Sequence, residues 1–329
     1  MTQLISKENL LPWLSRLARE KTLIAPINVA GEIIFQQISH VEEIVFDFNN
    51  STLSPKEWLF PTTETLFWVE RKDGQTELMP TKVKQETVIF GLRPCDARGI
   101  ALLDKTFLDE PPDILYREHR DKTALVGLSC TKACPECFCT SLGGAPNDHS
   151  YTDILLTEAK EGYIVQAVTD KGKALLPRDL LQESEVTLPP APSVSAVPVE
   201  RIEEKMGKLF DNPYWDRLAD RCLHCNICAY VCPTCYCFDI RDYPISDGKI
   251  ERIRSWDSCQ SPGFTCQAGG IEPRSTKGAR LRQRFYHKFL YFPERYRAIG
   301  CVGCGRCVRR CPVNIDIREV IGDIEKIGV

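Results

Sequence analysis

The chain has 329 residues, a formal net charge of −3 and seventeen cysteines, a length that allows two domains with separate cores. The cysteine count is odd and high for so long a chain, which argues against a secreted disulfide framework. The opening MTQLISKENLL has no basic region leading into an apolar stretch, and no apolar run approaches the roughly 20 residues that span a bilayer, so we expect a cytoplasmic protein without a transmembrane segment.

The first part of the chain predicts an α/β domain over residues 1–187. Apolar residues at helical spacing predict a helix over Glu8–Glu20, and a hairpin is expected around Asp73-Gly74. Short apolar runs before the hairpin predict three strands: Thr22–Ile27, Glu32–Ile38 and Glu43–Phe48.

A strand–helix–strand pattern follows the hairpin. TVIFGL (Thr87–Leu92) and TALVGL (Thr123–Leu128) read as buried strands, and Asp96–Phe107 reads as the helix between them, with Asp96 as its N-cap. Such a unit places its two strands parallel, so we expect a partly parallel sheet.

A proline-rich segment, LPPAPSVSAVP at residues 188–198, reads as a semi-rigid linker. Beyond it we predict a mainly helical, ferredoxin-like domain over residues 199–329, with an insertion at 234–300. The expected helices are Val199–Leu209, Tyr214–Leu223, Ser275–Phe289 and Asp316–Ile327.

Two runs of cysteine dominate the second part of the chain. Each reads C-x2-C-x2-C-x3-C-P, the spacing with which bacterial two-cluster ferredoxins hold 4Fe–4S centres. The fourth cysteine of each run typically ligates the other cluster. We therefore assign the first cluster to Cys222, Cys225, Cys228 and Cys311, and the second to Cys301, Cys304, Cys307 and Cys232. The alternatives are a zinc site or buried structural thiols, but zinc needs only four ligands.

A third group of five cysteines lies in the N-terminal part. Cys95 follows one predicted strand and Cys130 follows the next, so the carboxyl ends of parallel strands would bring them together. A helix N-terminus beside Cys95 would favour its thiolate form. Cys134, Cys137 and Cys139 follow in a loop. This group predicts a third iron–sulfur cluster with one cysteine to spare; inert thiols, zinc and a redox disulfide are the alternatives.

Charge is distributed unevenly. Residues 199–329 hold 22 Lys+Arg and 17 Asp+Glu, whereas the remaining residues hold 20 and 28. A basic environment suits a cluster that four thiolates make anionic. The densest basic stretch, Lys277 to Lys288, reads as a solvated helix face or a partner-docking surface; no nucleic-acid-binding module accompanies it.

The motifs resemble one known family. GLRPCDARGI, CPTCYCFDI, RSWDSC, FTCQAGG, RQRFYHKF and CVGCGRC together resemble the iron–sulfur subunits of cytosolic NiFe sulfhydrogenases (beta subunit) and anaerobic sulfite reductases (A subunit). The resemblance runs from about residue 87 to the C-terminus. It implies electron transfer between a flavoprotein subunit, which handles NAD(P)H or ferredoxin, and a catalytic subunit.

The resemblance also bears on single residues. It implies that the N-terminal cluster takes Cys95, Cys130, Cys137 and Cys139, which leaves Cys134 as the spare. Cys235, Cys237 and Cys259 match family positions, and we interpret them as small apolar residues that shield the clusters. Cys266 departs from the family pattern.

A further departure is Asn226, which stands where the family has glycine. Asn tolerates left-handed backbone, so the cluster loop should still close. Gly303 and Gly305 are kept in the second run, where they leave room for backbone amides near the cluster sulfurs.

Three functions remain open at this stage. In the first, the chain only transfers electrons and performs no bond chemistry. In the second, it is a reductase with a catalytic N-terminal iron–sulfur site. In the third, it is a redox sensor. The sequence contains no G-x-G-x-x-G after a strand and no phosphate-binding G-x-x-x-x-G-K-[ST]. Because several clusters in one chain are useful mainly for carrying electrons over a distance, the electron-transfer function is favoured.

Overall fold

The computed structural model describes residues 2–328 and contains two β-sheets. The larger sheet has eight strands in the order β10-β1-β9-β8-β7-β6-β2-β3. Its strands are β1 (Thr2–Ser6), β2 (Thr22–Val29), β3 (Glu32–Gln37), β6 (Thr87–Leu92), β7 (Thr123–Leu128), β8 (Ile154–Ala159), β9 (Gly162–Ala167) and β10 (Leu181–Ser184).

The centre of this sheet is parallel. Strand β6 pairs parallel with β2 and β7, and β7 pairs parallel with β8, whereas the outer pairs are antiparallel. Every residue of β7 is buried, as expected for a strand covered on both faces. The predicted partly parallel sheet and its strand–helix–strand unit are therefore confirmed.

Helices cover the sheet and connect its strands. In the N-terminal part they are α1 (Lys7–Glu20), α2 (Pro94–Phe107), α3 (Ile114–Lys122) and α4 (Asp170–Ala174). Trp13 and Leu14 of α1 lie in the same apolar core as Val88 and Val126 of the central strands.

Two local predictions in this part are wrong. Glu43–Phe48 is not a strand: a short 3-10 turn at Val41–Glu43 precedes a single bridge from Ile44 to Ile27. Asp96 is not an N-cap, because Pro94 begins the helix and Arg93 precedes it. The Asp96 carboxylate is instead buried against Arg306, a partner 210 residues away.

The second sheet has four antiparallel strands and joins distant parts of the chain. Its order is β11-β12-β4-β5. The hairpin predicted around Asp73-Gly74 supplies β4 (Thr63–Lys72) and β5 (Gln75–Pro80), and the segment between the two cysteine runs supplies β11 (Phe238–Ser246) and β12 (Lys249–Trp256). The expectation of a mainly helical C-terminal part is therefore not confirmed.

The remaining helices are short. They are α5 (Ile202–Lys208), α6 (Tyr214–Asp220), α7 (Ile227–Tyr230), α8 (Lys277–Tyr286), α9 (Phe292–Tyr296), α10 (Arg306–Arg309) and α11 (Ile317–Lys326). A π-helical turn at His287–Tyr291 continues α8. Residues 188–198 form no regular element, as the proline content predicts. Within residues 2–328, no helix combines the length and the apolar character needed to cross a bilayer.

Candidate metal centres

The structure gathers the predicted cysteines around three separate cavities. The first cavity, of about 40 Å³, is lined by Cys222, Cys225, Cys228 and Cys311 together with Cys307. The second, of about 10 Å³, is lined by Cys232, Cys301, Cys304 and Cys307. The third, of about 20 Å³, is lined by Cys95, Cys130, Cys134, Cys137, Cys139 and Cys304. The crossing of the fourth cysteine of each run into the other group is thus what the geometry favours.

The first cavity combines apolar walls with donors to sulfur. Backbone amides of His224 and Ile315 donate to the Sγ atoms of Cys222 and Cys311, at 3.4 and 3.2 Å. The Nε2 of Gln260 lies 3.1 Å from the Sγ of Cys228. Hydrogen bonds of this kind stabilise thiolates and tune an iron–sulfur centre.

The loops that carry these cysteines need left-handed backbone. Asn226 adopts φ 63°, and Gly303 and Gly305 of the second run adopt 64° and 73°. A Cβ at Gly303 would lie 2.6 Å from the backbone nitrogen of Cys139. The tolerance expected of Asn226 agrees with this backbone, and Gly303 allows the N-terminal loop to touch the second cysteine run.

Buried thiols line the second cavity. The thiols of Cys301 and Cys304 are buried, and burial raises the pKa of Cys304 to about 11 and that of Cys307 to about 12. A thiolate at these positions therefore needs compensating positive charge, which coordinated iron supplies. The donor set fits a 4Fe–4S group.

The N-terminal cavity lies at the carboxyl ends of β6 and β7, as predicted. Cys95 lies in the first turn of α2, and Cys130 lies two residues beyond β7. The expected preference for thiolate at Cys95 is wrong, however. Burial, followed by the neighbouring Asp96 carboxylate, raises its pKa well above the usual value, because desolvation outweighs the helix N-terminus.

Cys134, which the family resemblance left as the spare cysteine, lines the same cavity. Its Sγ accepts a hydrogen bond from Arg309 at 3.3 Å. The neighbouring Cys137 thiol, together with Arg309, lowers the pKa of Cys134 to about 6. The structure therefore brings all five cysteines together.

Buried cations surround the cysteines. Arg284 and Lys288 are only 4% and 3% exposed. Burial alone would lower the pKa of Arg284, but the negative charge of surrounding thiolates, led by Cys228 and Cys307, raises it above its usual value. Near the N-terminal cavity, Arg93 is buried and donates to the carbonyl of Ser129 at 2.9 Å. Such cations are expected where an anionic cluster binds.

This finding corrects the interpretation of the basic stretch. Lys277 is exposed, but Arg284 and Lys288 face inward toward the cysteines, because residues four apart share one face of a helix. Leu281, Arg284 and Lys288 are spaced three and four residues apart, and this spacing places them on the same buried face of the helix. The prediction that the whole stretch is a surface overlooked this shared face.

The three cavities form a row. Cys304 lines both the N-terminal and the second cavity, and Cys307 and Arg284 line both the second and the first. Within the described residues, no three Cys, His, Asp or Glu side chains lie close enough to bind one metal ion. At least four cysteines line each cavity, and a set of thiols of this size suits a polynuclear cube.

The remaining cysteines lie outside the three cavities. Cys235 is a neighbour of Cys232, and Cys237 is a neighbour of Cys259. Cys266 is exposed. The shielding role predicted for Cys235, Cys237 and Cys259 remains a prediction.

Comparisons with known proteins bear on the two C-terminal cysteine runs and on the chain as a whole. Residues 221–315 match the model of a 4Fe-4S dicluster domain. Subunit beta of sulfhydrogenase 2 from Pyrococcus furiosus is 28% identical over 333 residues, which cover 95% of each chain. No solved structure matches.

These matches support two 4Fe–4S clusters in the C-terminal part of the chain and iron–sulfur electron transfer within an oxidoreductase. The resemblance to sulfhydrogenase beta subunits that the motifs indicated is confirmed along nearly the whole chain.

Proposed function

We propose that the chain is the electron-transfer subunit of a cytoplasmic multisubunit oxidoreductase. It would relay single electrons between a flavoprotein subunit, linked to NAD(P)H or ferredoxin, and a catalytic subunit such as a hydrogenase or a sulfite reductase. The relative from Pyrococcus furiosus is named as a subunit of a sulfhydrogenase, which supports assembly with other subunits. Seventeen free cysteines suit a reducing compartment.

The single observation that carries the proposal is the row of three cysteine-lined cavities with shared walls. A 4Fe–4S group supplies reversible one-electron chemistry when bound. The protein holds the thiolates at fixed positions, donates hydrogen bonds to sulfur and excludes water. None of these tasks requires a substrate pocket.

We propose the ligand sets as predicted from the sequence. The first centre takes Cys222, Cys225, Cys228 and Cys311, and the second takes Cys301, Cys304, Cys307 and Cys232. A third, N-terminal centre takes Cys95, Cys130, Cys137 and Cys139. The domain limits at 187 and 199 are proposed with them.

Single serine variants test the third centre. Cys130→Ser should lose about four irons per chain, the content of one cube. Cys266→Ser is the matched control, because Cys266 is exposed and lines none of the three cavities. Cys134→Ser should retain the full iron content. If Cys134→Ser loses iron and Cys137→Ser retains it, Cys134 is the ligand and Cys137 is the spare cysteine.

The fifth thiol supports a second candidate, a reductase whose N-terminal site meets a substrate. Cys134 is 4% exposed, however, and it is hydrogen-bonded to Arg309. The full chain, purified anaerobically without partners, separates the two functions. Reversible one-electron signals without turnover of sulfite, polysulfide or NAD(P)+ support the relay. Turnover that disappears in Cys134→Ser would support catalysis instead.

A further inference from the structure

Lys288 is a buried ammonium group placed directly on one predicted cluster ligand. It lies in the π-helical turn after α8 and is 3% exposed. Its Nζ lies 3.3 Å from the Sγ of Cys232, 2.9 Å from the Oγ1 of Thr234 and 3.1 Å from the carbonyl of Gly300. No carboxylate is among these partners.

A buried cation without an anionic partner is unfavourable, since desolvation of a charge costs several kcal/mol. The negative charge beside Lys288 is that of the thiolates around the second cavity. Irregular π-helical turns also recur at functional positions. Both features indicate that the charge of Lys288 acts on the group that these cysteines bind.

Buried guanidinium groups also line the cavities, Arg284 the first and second and Arg93 the N-terminal one, but the hydrogen bonds to sulfur differ. In the first cavity the side chain that donates to Cys228 is the neutral Gln260. In the N-terminal cavity the donor to Cys134 is Arg309, which is exposed to solvent and therefore screened. A fully buried ammonium in contact with sulfur is specific to the second cavity among these three contacts.

We propose that Lys288 raises the reduction potential of the second centre, at Cys232, Cys301, Cys304 and Cys307, above that of the other two. A nearby positive charge stabilises the more negative, reduced state of a cluster. The middle centre of the row is then the most readily reduced of the three, and it holds the electron between the donor and the acceptor subunits. This inference depends on the proposed relay function.

The test is a redox titration of the whole iron-loaded chain, followed by electron paramagnetic resonance. Cys301→Ser identifies which signal belongs to the second centre. In Lys288→Met, the ratio of reduced to oxidised second centre at a fixed potential should fall at least tenfold, which for one electron is about 59 mV. Lys288→Arg should retain most of the wild-type ratio, and Lys288→Gln should behave as Lys288→Met does.

The matched control is Lys205→Met. Lys205 is also buried, at 5% exposure, but its Nζ donates to the carbonyl of Ile327, at 2.6 Å. Its replacement should move none of the three potentials. Equal shifts of all centres, or an unchanged second centre in Lys288→Met, would overturn the inference. Wild-type chain without reversible one-electron signals would instead overturn the relay itself.

Discussion

The ion pair between Asp96 and Arg306 connects the two parts of the chain and predicts a large effect of a small change. Both side chains are 0% exposed. The Nη1 and Nη2 of Arg306 lie 2.7 and 2.9 Å from the two carboxylate oxygens. Arg306 also donates to the carbonyl and hydroxyl oxygens of Ser51, at 2.8 and 2.9 Å.

Asp96→Asn keeps the size of the side chain and removes its charge, which leaves a guanidinium buried without its anion. Loss of one partner of a buried pair costs roughly 3–5 kcal/mol. Because Ser51 still accepts from Arg306, we expect the lower end, about 3 kcal/mol of unfolding free energy. At roughly 2 °C per kcal/mol for a large domain, the melting temperature should fall by about 6 °C.

The assay is anaerobic thermal and urea denaturation of the iron-loaded chain, followed by tryptophan fluorescence. Asp109→Asn is the matched control, because its partner Arg295 is 67% exposed. Such exposed pairs contribute little to stability. Equal melting temperatures for Asp96→Asn and the control would refute the assignment of Asp96 as the buried anchor of Arg306.

Two further predictions concern the contact between the cysteine loops and the response to acid. Gly303→Ala should destabilise the chain by more than about 1 kcal/mol and release iron, because its Cβ would meet the Cys139 backbone; Gly207→Ala, where a Cβ meets nothing within 4 Å, should not lower the melting temperature. Burial, followed by the charge of Lys288, lowers the pKa of His287 from 6.5 to about 4. The unfolded chain then binds a proton that the folded chain does not, so stability should fall by about 2 kcal/mol between pH 7 and pH 5. His287→Gln should lose this part of the dependence, and an unchanged pH slope in that variant would contradict the reasoning.

The sequence was sufficient to predict those elements whose pattern lies within a short segment of the chain. Strands β6 and β7 are continuous apolar runs, and helix α1 repeats its apolar residues at helical spacing. The cysteine spacing was similarly sufficient to predict which thiols meet around the first and second cavities. For the strands and the helix the information lies within about a dozen neighbouring residues. The exchange of Cys232 and Cys311 between the two distant runs was predicted instead from the known ligation pattern of two-cluster ferredoxins.

Long-range contacts were not predictable in this way. Strand β12 pairs with β4, a partner about 180 residues earlier. The β11 residues Ile240, Tyr243 and Ile245 are exposed and show no clear alternation. Asp96 resembles an N-cap locally, but its partner Arg306 is remote in sequence. Single-sequence patterns carry no record of such pairs.

We propose that the N-terminal cavity holds a third 4Fe–4S cluster beside the two in the C-terminal part of the chain. The most direct measurement is a count of iron and acid-labile sulfide per chain in protein purified under argon. Three cubes predict about twelve of each. A value near eight would remove the N-terminal centre, and a pale preparation without labile sulfide would contradict the claim entirely.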